Sequence, residues 1–124
     1  MAKLVYLILG GASGTLARYY FAGYLYQKLG TDFPFGTLIV NLSGCFLVGF
    51  LSTLIDDRVL LGPGAKVFLM VGFCGAYTTF STYMLETSHL VMGGEMFKAL
   101  ANIFLSTIVG FIALRLGILI GQII

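Results

Sequence analysis

Apolar residues fill this chain in four long blocks, parted by three short clusters of polar and turn-forming residues. The blocks cover about residues 3–28, 35–55, 66–92 and 96–121. Each reaches the roughly 20 residues that an α-helix, rising about 1.5 Å per residue, needs to cross a hydrocarbon core. The clusters read LGTDFP, DDRVLLGPG and Gly93-Gly94-Glu95, all ordinary turn formers. Connections this short force neighbouring helices to run antiparallel and leave no room for an extramembrane catalytic domain. The pattern predicts an all-α integral membrane fold. It has one transmembrane domain, residues 1–124, with four spans and both termini on the same side. The opening, Met1-Ala-Lys3 followed by LVYLILGGASG, resembles a secretory leader. Its apolar run continues through Arg18 to about Tyr26 without a small-x-small cleavage point, so a retained first span is expected.

Composition points the same way. Of 124 residues, 59% are hydrophobic and 10% charged, against about 25% charged in soluble domains. The mean hydropathy is +1.02. A water-soluble domain this small could hardly bury so much apolar surface, whereas lipid removes the need. The net charge of +2 comes without a basic cluster, which excludes nucleic acid as a partner. Cys45 and Cys74 lie inside apolar blocks at a spacing that fits neither a disulfide scaffold nor a metal site.

Polar groups at membrane depth change the picture most. Arg18 lies in the first block, Asn41 and Ser43 in the second, and Asn102, Ser106 and Thr107 in the fourth. The third block reads VGFCGAYTTFSTYMLETSH over residues 71–89 and carries Ser81, Thr82, Tyr83 and Glu86. Charged groups there face a bundle interior, a partner or water. Serine and threonine are cheaper, because their hydroxyls can return to a carbonyl one turn back. Thr37 and Asn41 share one helix face, as do Asn102 and Ser106, and Phe80 and Tyr83 lie a turn apart. Amides and hydroxyls donate hydrogen bonds, and aromatic ring edges carry partial positive charge. Such a lining suits a small anion, while plain bundle packing explains the aromatics equally well.

Two further patterns stand out. Gly72 and Gly75 flank Cys74 ahead of Ala76-Tyr77-Thr78-Thr79. This segment reads either as a continuous helix with a tight glycine contact or as a helix break. A break would expose backbone carbonyls, such as those of Gly75 and Thr78, to protein, water or an ion. Gly10 and Gly14, and Gly117 and Gly121, form GxxxG pairs that permit close helix approach. The basic residues near span ends divide almost evenly: Lys3, Arg58 and Lys66 on the side of the termini, Lys28 and Lys98 on the other. That balance fits termini in the cytoplasm or insertion in both orientations.

No acid–base pair, metal cluster or nucleotide loop supports an enzyme. Glu86 and His89, three apart, read as an interfacial contact. Four short helices enclose little space, so transport of a small solute would need a homo-oligomer. Three classes remain: an ion channel, a small cation-coupled exporter of the multidrug type using Glu86, and a non-transporting scaffold. The position of Glu86, toward the end of the third block, and the amide-rich track speak for the channel.

Three segments carry a specific resemblance. They are Gly10, Gly11, Gly14, Thr15, Leu16, Ala17, Arg18 and Tyr19 in a GGxxGTLARY pattern, GTLIVNLSGCFLVG over 36–49, and GFCGAYTTFSTYMLE over 72–86. In this order, over almost the whole chain, they resemble the Fluc/CrcB family of fluoride channels. The resemblance implies an antiparallel, dual-topology homodimer with two fluoride pathways. It implies a third helix broken near its middle, with a structural sodium ion at the dimer centre held by the carbonyls of Gly75 and Thr78. The pathway would be lined by Asn41, Phe80, Ser81, Thr82 and Tyr83, with a polar track at Asn102 and Ser106. Arg18 would stand near the entrance or act as support. The expected function is passive export of fluoride across the cell (inner) membrane, protecting against fluoride that enters as neutral HF. One position departs from the family: Tyr83 stands where a second phenylalanine is common. Its phenol could coordinate fluoride or alter selectivity or rate.

Overall fold

The computed structural model describes residues 1–58 and 60–124, and among these every regular element is helical. Helix α1 spans Ala2–Leu29, α2 Phe35–Asp57, α3 residues 63–77, α4 Phe80–Met92 and α5 Met96–Ile123. Local chemistry sets the boundaries. Helix α1 stops at Gly30, whose φ of 84° is open to glycine, and its N–H returns 3.0 Å to the Tyr26 carbonyl. Pro63 opens α3 ahead of Lys66, since its fixed φ suits a first turn and its missing N–H costs nothing there. Between α4 and α5 the chain turns at Gly94, φ 77°, while the Glu95 N–H reaches back 2.8 Å to the Leu90 carbonyl.

Phe35–Asp57, Pro63–Met92 and Met96–Ile123 are each long and apolar enough to cross a membrane. Helix α1, with 28 residues, is also long enough. Arg18, the glycines and the tyrosines at 6, 19, 20, 24 and 26 make it less apolar than the others.

Backbones meet at glycines. Helix α1 lies on α3, where a Cβ at Gly10 would strike the Phe68 carbonyl oxygen and one at Gly14 the Phe73 carbonyl oxygen. Helix α2 lies on α5 in the same manner, with Gly49 against the Leu114 carbonyl and Gly117 against the Phe46 carbonyl. Lipid offers no hydrophobic push between helices, so close van der Waals contact must hold them. The α3 stretch under α1, Lys66–Cys74, is wound as a wide π-helix, a form enriched at functional sites. Few large side chains are fully buried, Val40, Cys74, Thr53 and Asn102 among them. Phe97, Phe104 and Phe111 lie outward. Apolar surface on this scale calls for lipid or a second copy as its neighbour.

Near the middle of the stretch 63–92 the chain leaves the helix for two residues. Thr78 is extended (φ −82°, ψ 156°), as is Thr79 (φ −149°, ψ 115°), and Phe80 resumes the helix as α4.

Candidate functional site: a helix break beside a polar groove

The last carbonyls of any α-helix lack intrahelical donors. At the end of α3 the Thr78 N–H and Oγ1 both donate to the Cys74 carbonyl, at 3.0 and 2.9 Å. The next N–H, that of Thr79, would meet the Gly75 carbonyl in an unbroken helix. It goes instead to Asn41 Oδ1 on α2, at 2.8 Å. Asn41 Nδ2 donates back to the Thr79 carbonyl at 2.9 Å. The Gly75 carbonyl is thereby left without its helical donor, and Gly75 lies exposed on the single chain. Thr79 also caps α4. Its Oγ1 accepts the Thr82 N–H at 3.3 Å and donates to Thr82 Oγ1 at 2.9 Å. Gly44 makes room for the break, since a Cβ there would strike the Thr78 methyl.

A groove of about 340 Å³ opens beside the break, between α2, α4 and α5. Asn41, Phe80, Tyr83 and Ser106 line it, together with Gly44, Cys45, Thr78 and Thr107. Phe80 is 73% exposed, and its ring centre lies 5.6 Å from that of buried Tyr83 at an interplanar angle of 53°. Ser106 Oγ is buried and has no hydrogen-bond partner among the described residues. One Asn41 N–H is spent on Thr79, and an amide carries two. A free amide N–H, a spare hydroxyl and ring edges within apolar walls can take a small anion out of water, because each presents positive charge without a full cation.

The other sequence-selected residues divide. Asn102 is 1% exposed and donates to Thr87 Oγ1 at 2.9 Å, which in turn donates to the Tyr83 carbonyl at 2.7 Å. Its amide therefore ties α5 to α4 rather than facing the groove. Ser81 lies exposed on the first turn of α4. Thr82 and Arg18 line a separate hollow of about 360 Å³ with Thr37 and Tyr26. Ser43 pairs with Tyr77, 2.8 Å between hydroxyls, and donates to the Val40 carbonyl, so the Tyr77 O–H is the donor of that pair. Cys45 and Cys74 are free thiols.

Sequence reasoning missed one cluster. Glu86 Oε1 accepts from Tyr26 Oη at 2.7 Å and from Thr37 Oγ1 at 2.8 Å, joining α4, α1 and α2. Its other oxygen, Oε2, is buried without a partner among the described residues. Glu86 borders both the Arg18 hollow and a third one of about 460 Å³, shared with Asp32, His89 and Glu95. Thr37 was visible on the Asn41 face. Tyr26 carried no signal, since a tyrosine near a span end ordinarily anchors at the interface.

Comparison with known proteins adds a family. The one described as "CrcB-like protein, Camphor Resistance (CrcB)" matches residues 5–118. Among curated proteins, a fluoride-specific ion channel FluC of Desulforapulum autotrophicum is 47% identical over 122 residues, covering 98% of each chain. One of Solidesulfovibrio magneticus is 44% identical over 124 residues, covering 100% of this chain and 99% of the relative. A third, of Chlorobium chlorochromatii, is 46% identical over 118 residues, covering 95% and 91%.

Proposed function

The chain belongs to the CrcB family, and from that premise we propose that it is a fluoride-selective ion channel. It is a multi-pass membrane protein, and no chemical step is involved. The observation that carries the reading is the groove beside the helix break, where Asn41, Phe80, Tyr83 and the partnerless hydroxyl of Ser106 meet. Fluoride is small and strongly hydrated, so a narrow path must replace its water with donors that cost no reorganisation. An amide, hydroxyls and ring edges do so, favourably enough for the ion to enter and weakly enough for it to leave.

The finer reading has four parts. Helix α1 is the fourth span, carried across by its length. The functional unit is a homodimer of subunits inserted in opposite orientations in the cell (inner) membrane, with one fluoride pathway along each groove. Arg18 stands at an entrance with Thr82, and Ser81 faces the neighbouring subunit. A structural sodium ion sits at the dimer centre on the carbonyls of Gly75 and Thr78. The residues present fit such an ion, because Gly75 is exposed and has lost its helical donor, and hard cations take backbone oxygens. Bare carbonyls at membrane depth persist only against protein, water or an ion. The cell benefits because fluoride entering as neutral HF ionises inside and leaves down its gradient.

The test is efflux from liposomes holding the purified protein, read with a fluoride electrode. Rapid fluoride release without a proton gradient is the expected result. Release that requires a proton gradient would favour the cation-coupled exporter, and no release at all the scaffold.

A further inference from the structure

We propose that Asn41 is the positioning residue of the helix break: its carboxamide replaces the missing helical bond at Thr79 and so keeps the Gly75 carbonyl free. The inference rests on the channel reading for its purpose but on the chain's own hydrogen bonds for its substance. An extended residue between two helices presents an N–H that neither helix satisfies, whereas the Thr79 C=O, as the N-cap of α4, already accepts the first bond of that helix. The N–H must find a partner at membrane depth. A primary amide is the smallest side chain that offers an acceptor and a donor in the geometry of a peptide group. Asn41 uses both on a single residue, accepting from the Thr79 N–H at 2.8 Å and donating to the Thr79 carbonyl at 2.9 Å.

The consequence reaches two sites. Without Asn41 the Thr79 N–H can return to its regular helical acceptor, the Gly75 carbonyl, and taking it would close the break and consume a proposed sodium ligand. With Asn41 in place, the first amide hydrogen is fixed on Thr79. The second is left for the groove that Asn41 shares with Phe80, Tyr83 and Ser106. One side chain thus joins the anion path to the cation site, and the occupancy of either affects the geometry of the other. Aspartate keeps the acceptor and loses the donor. Alanine loses both.

The experiment uses the full chain as it assembles, in wild-type form and as Asn41→Ala, Asn41→Asp and Ser106→Ala. Two measurements are made: residue-resolved amide hydrogen exchange at Thr79, and thermal stability across sodium chloride replaced by N-methylglucamine chloride. Asn41→Ala is expected to speed exchange at Thr79 by roughly tenfold, the effect of losing a buried hydrogen bond. It should also raise the sodium concentration for half-maximal stabilisation by about as much. Asn41→Asp should keep most of the Thr79 protection. Ser106→Ala, which lines the groove without touching the break, should leave both readouts at wild-type values. Unchanged Thr79 exchange in Asn41→Ala would overturn the proposal, as would a rise spread evenly along α4. Absence of fluoride efflux from wild type would instead remove the channel reading, and the Thr79 exchange would still decide the role of Asn41.

Discussion

Phe80 lies largely uncovered at the mouth of the groove, with its ring turned against that of Tyr83. An exposed aromatic beside a partnerless hydroxyl gains little from packing within its own subunit, which favours a role toward an ion. Phe80→Ile keeps most of the bulk and removes the ring edge. Fluoride efflux is expected to fall by about fivefold or more, given roughly 1 kcal/mol for such a contact, while size-exclusion profiles stay at the wild-type position. Ser106→Ala should give a milder loss, because it removes one hydroxyl and leaves amide and rings in place. Losses of flux that track losses of folded protein would return both residues to plain packing. The sequence exposed Asn41, Phe80, Tyr83 and Ser106 through residue type and helical spacing. It did not reveal that the Asn41 amide is half spent on Thr79, or that Asn102 turns to Thr87. Hydrogen-bond partners 38 and 15 positions away depend on how helices dock, and no local pattern encodes that.

At the scale of elements, glycines decide which helices touch. The GxxxG pair of α1 rests on the carbonyl side of α3, and that of α5 on Phe46, Phe50 and Thr53 of α2. Gly14→Leu would drive a side chain into the Phe73 carbonyl. A destabilisation of about 1–3 kcal/mol is expected from overpacking, read as a lower thermal midpoint of the detergent-solubilised protein. Gly11→Leu, where nothing lies within 4 Å of the added Cβ, should cost far less. Equal effects at the two positions would mean that α1 does not dock on α3 by this face. The break between α3 and α4 was open from sequence, because Gly-rich and β-branched residues weaken a helix without forbidding it. Partners decided it. The α2 amide, the Gly44 gap and the Thr79 cap each favour the extended form.

For the whole molecule, the outward apolar faces of α4 and α5 and the uncovered Gly75 need a neighbour. The proposed one is a second, inverted copy. The near-even division, Lys3, Arg58 and Lys66 against Lys28 and Lys98, gives insertion little bias. A C-terminal tag probed from each side of intact cells should be reached from both, in comparable amounts. A tag found on one side alone would exclude the dual-topology dimer. Adding two lysines at the C-terminus should then bias insertion and reduce the yield of dimer.

The sequence by itself determined the solvent, the helical class and the family. Long apolar runs leave the backbone no partner in lipid except its own helix, and the motifs around Gly36, Asn41 and Thr78 are dense enough to identify relatives. Tertiary structure alone decided what each polar group does. Asn41 reaches a backbone break, Glu86 is held by Tyr26 and Thr37, and Ser106 is left with a free hydroxyl. The physical reason is that residue type fixes how many hydrogen bonds a side chain can make, whereas only the docking of helices fixes which of them are already made.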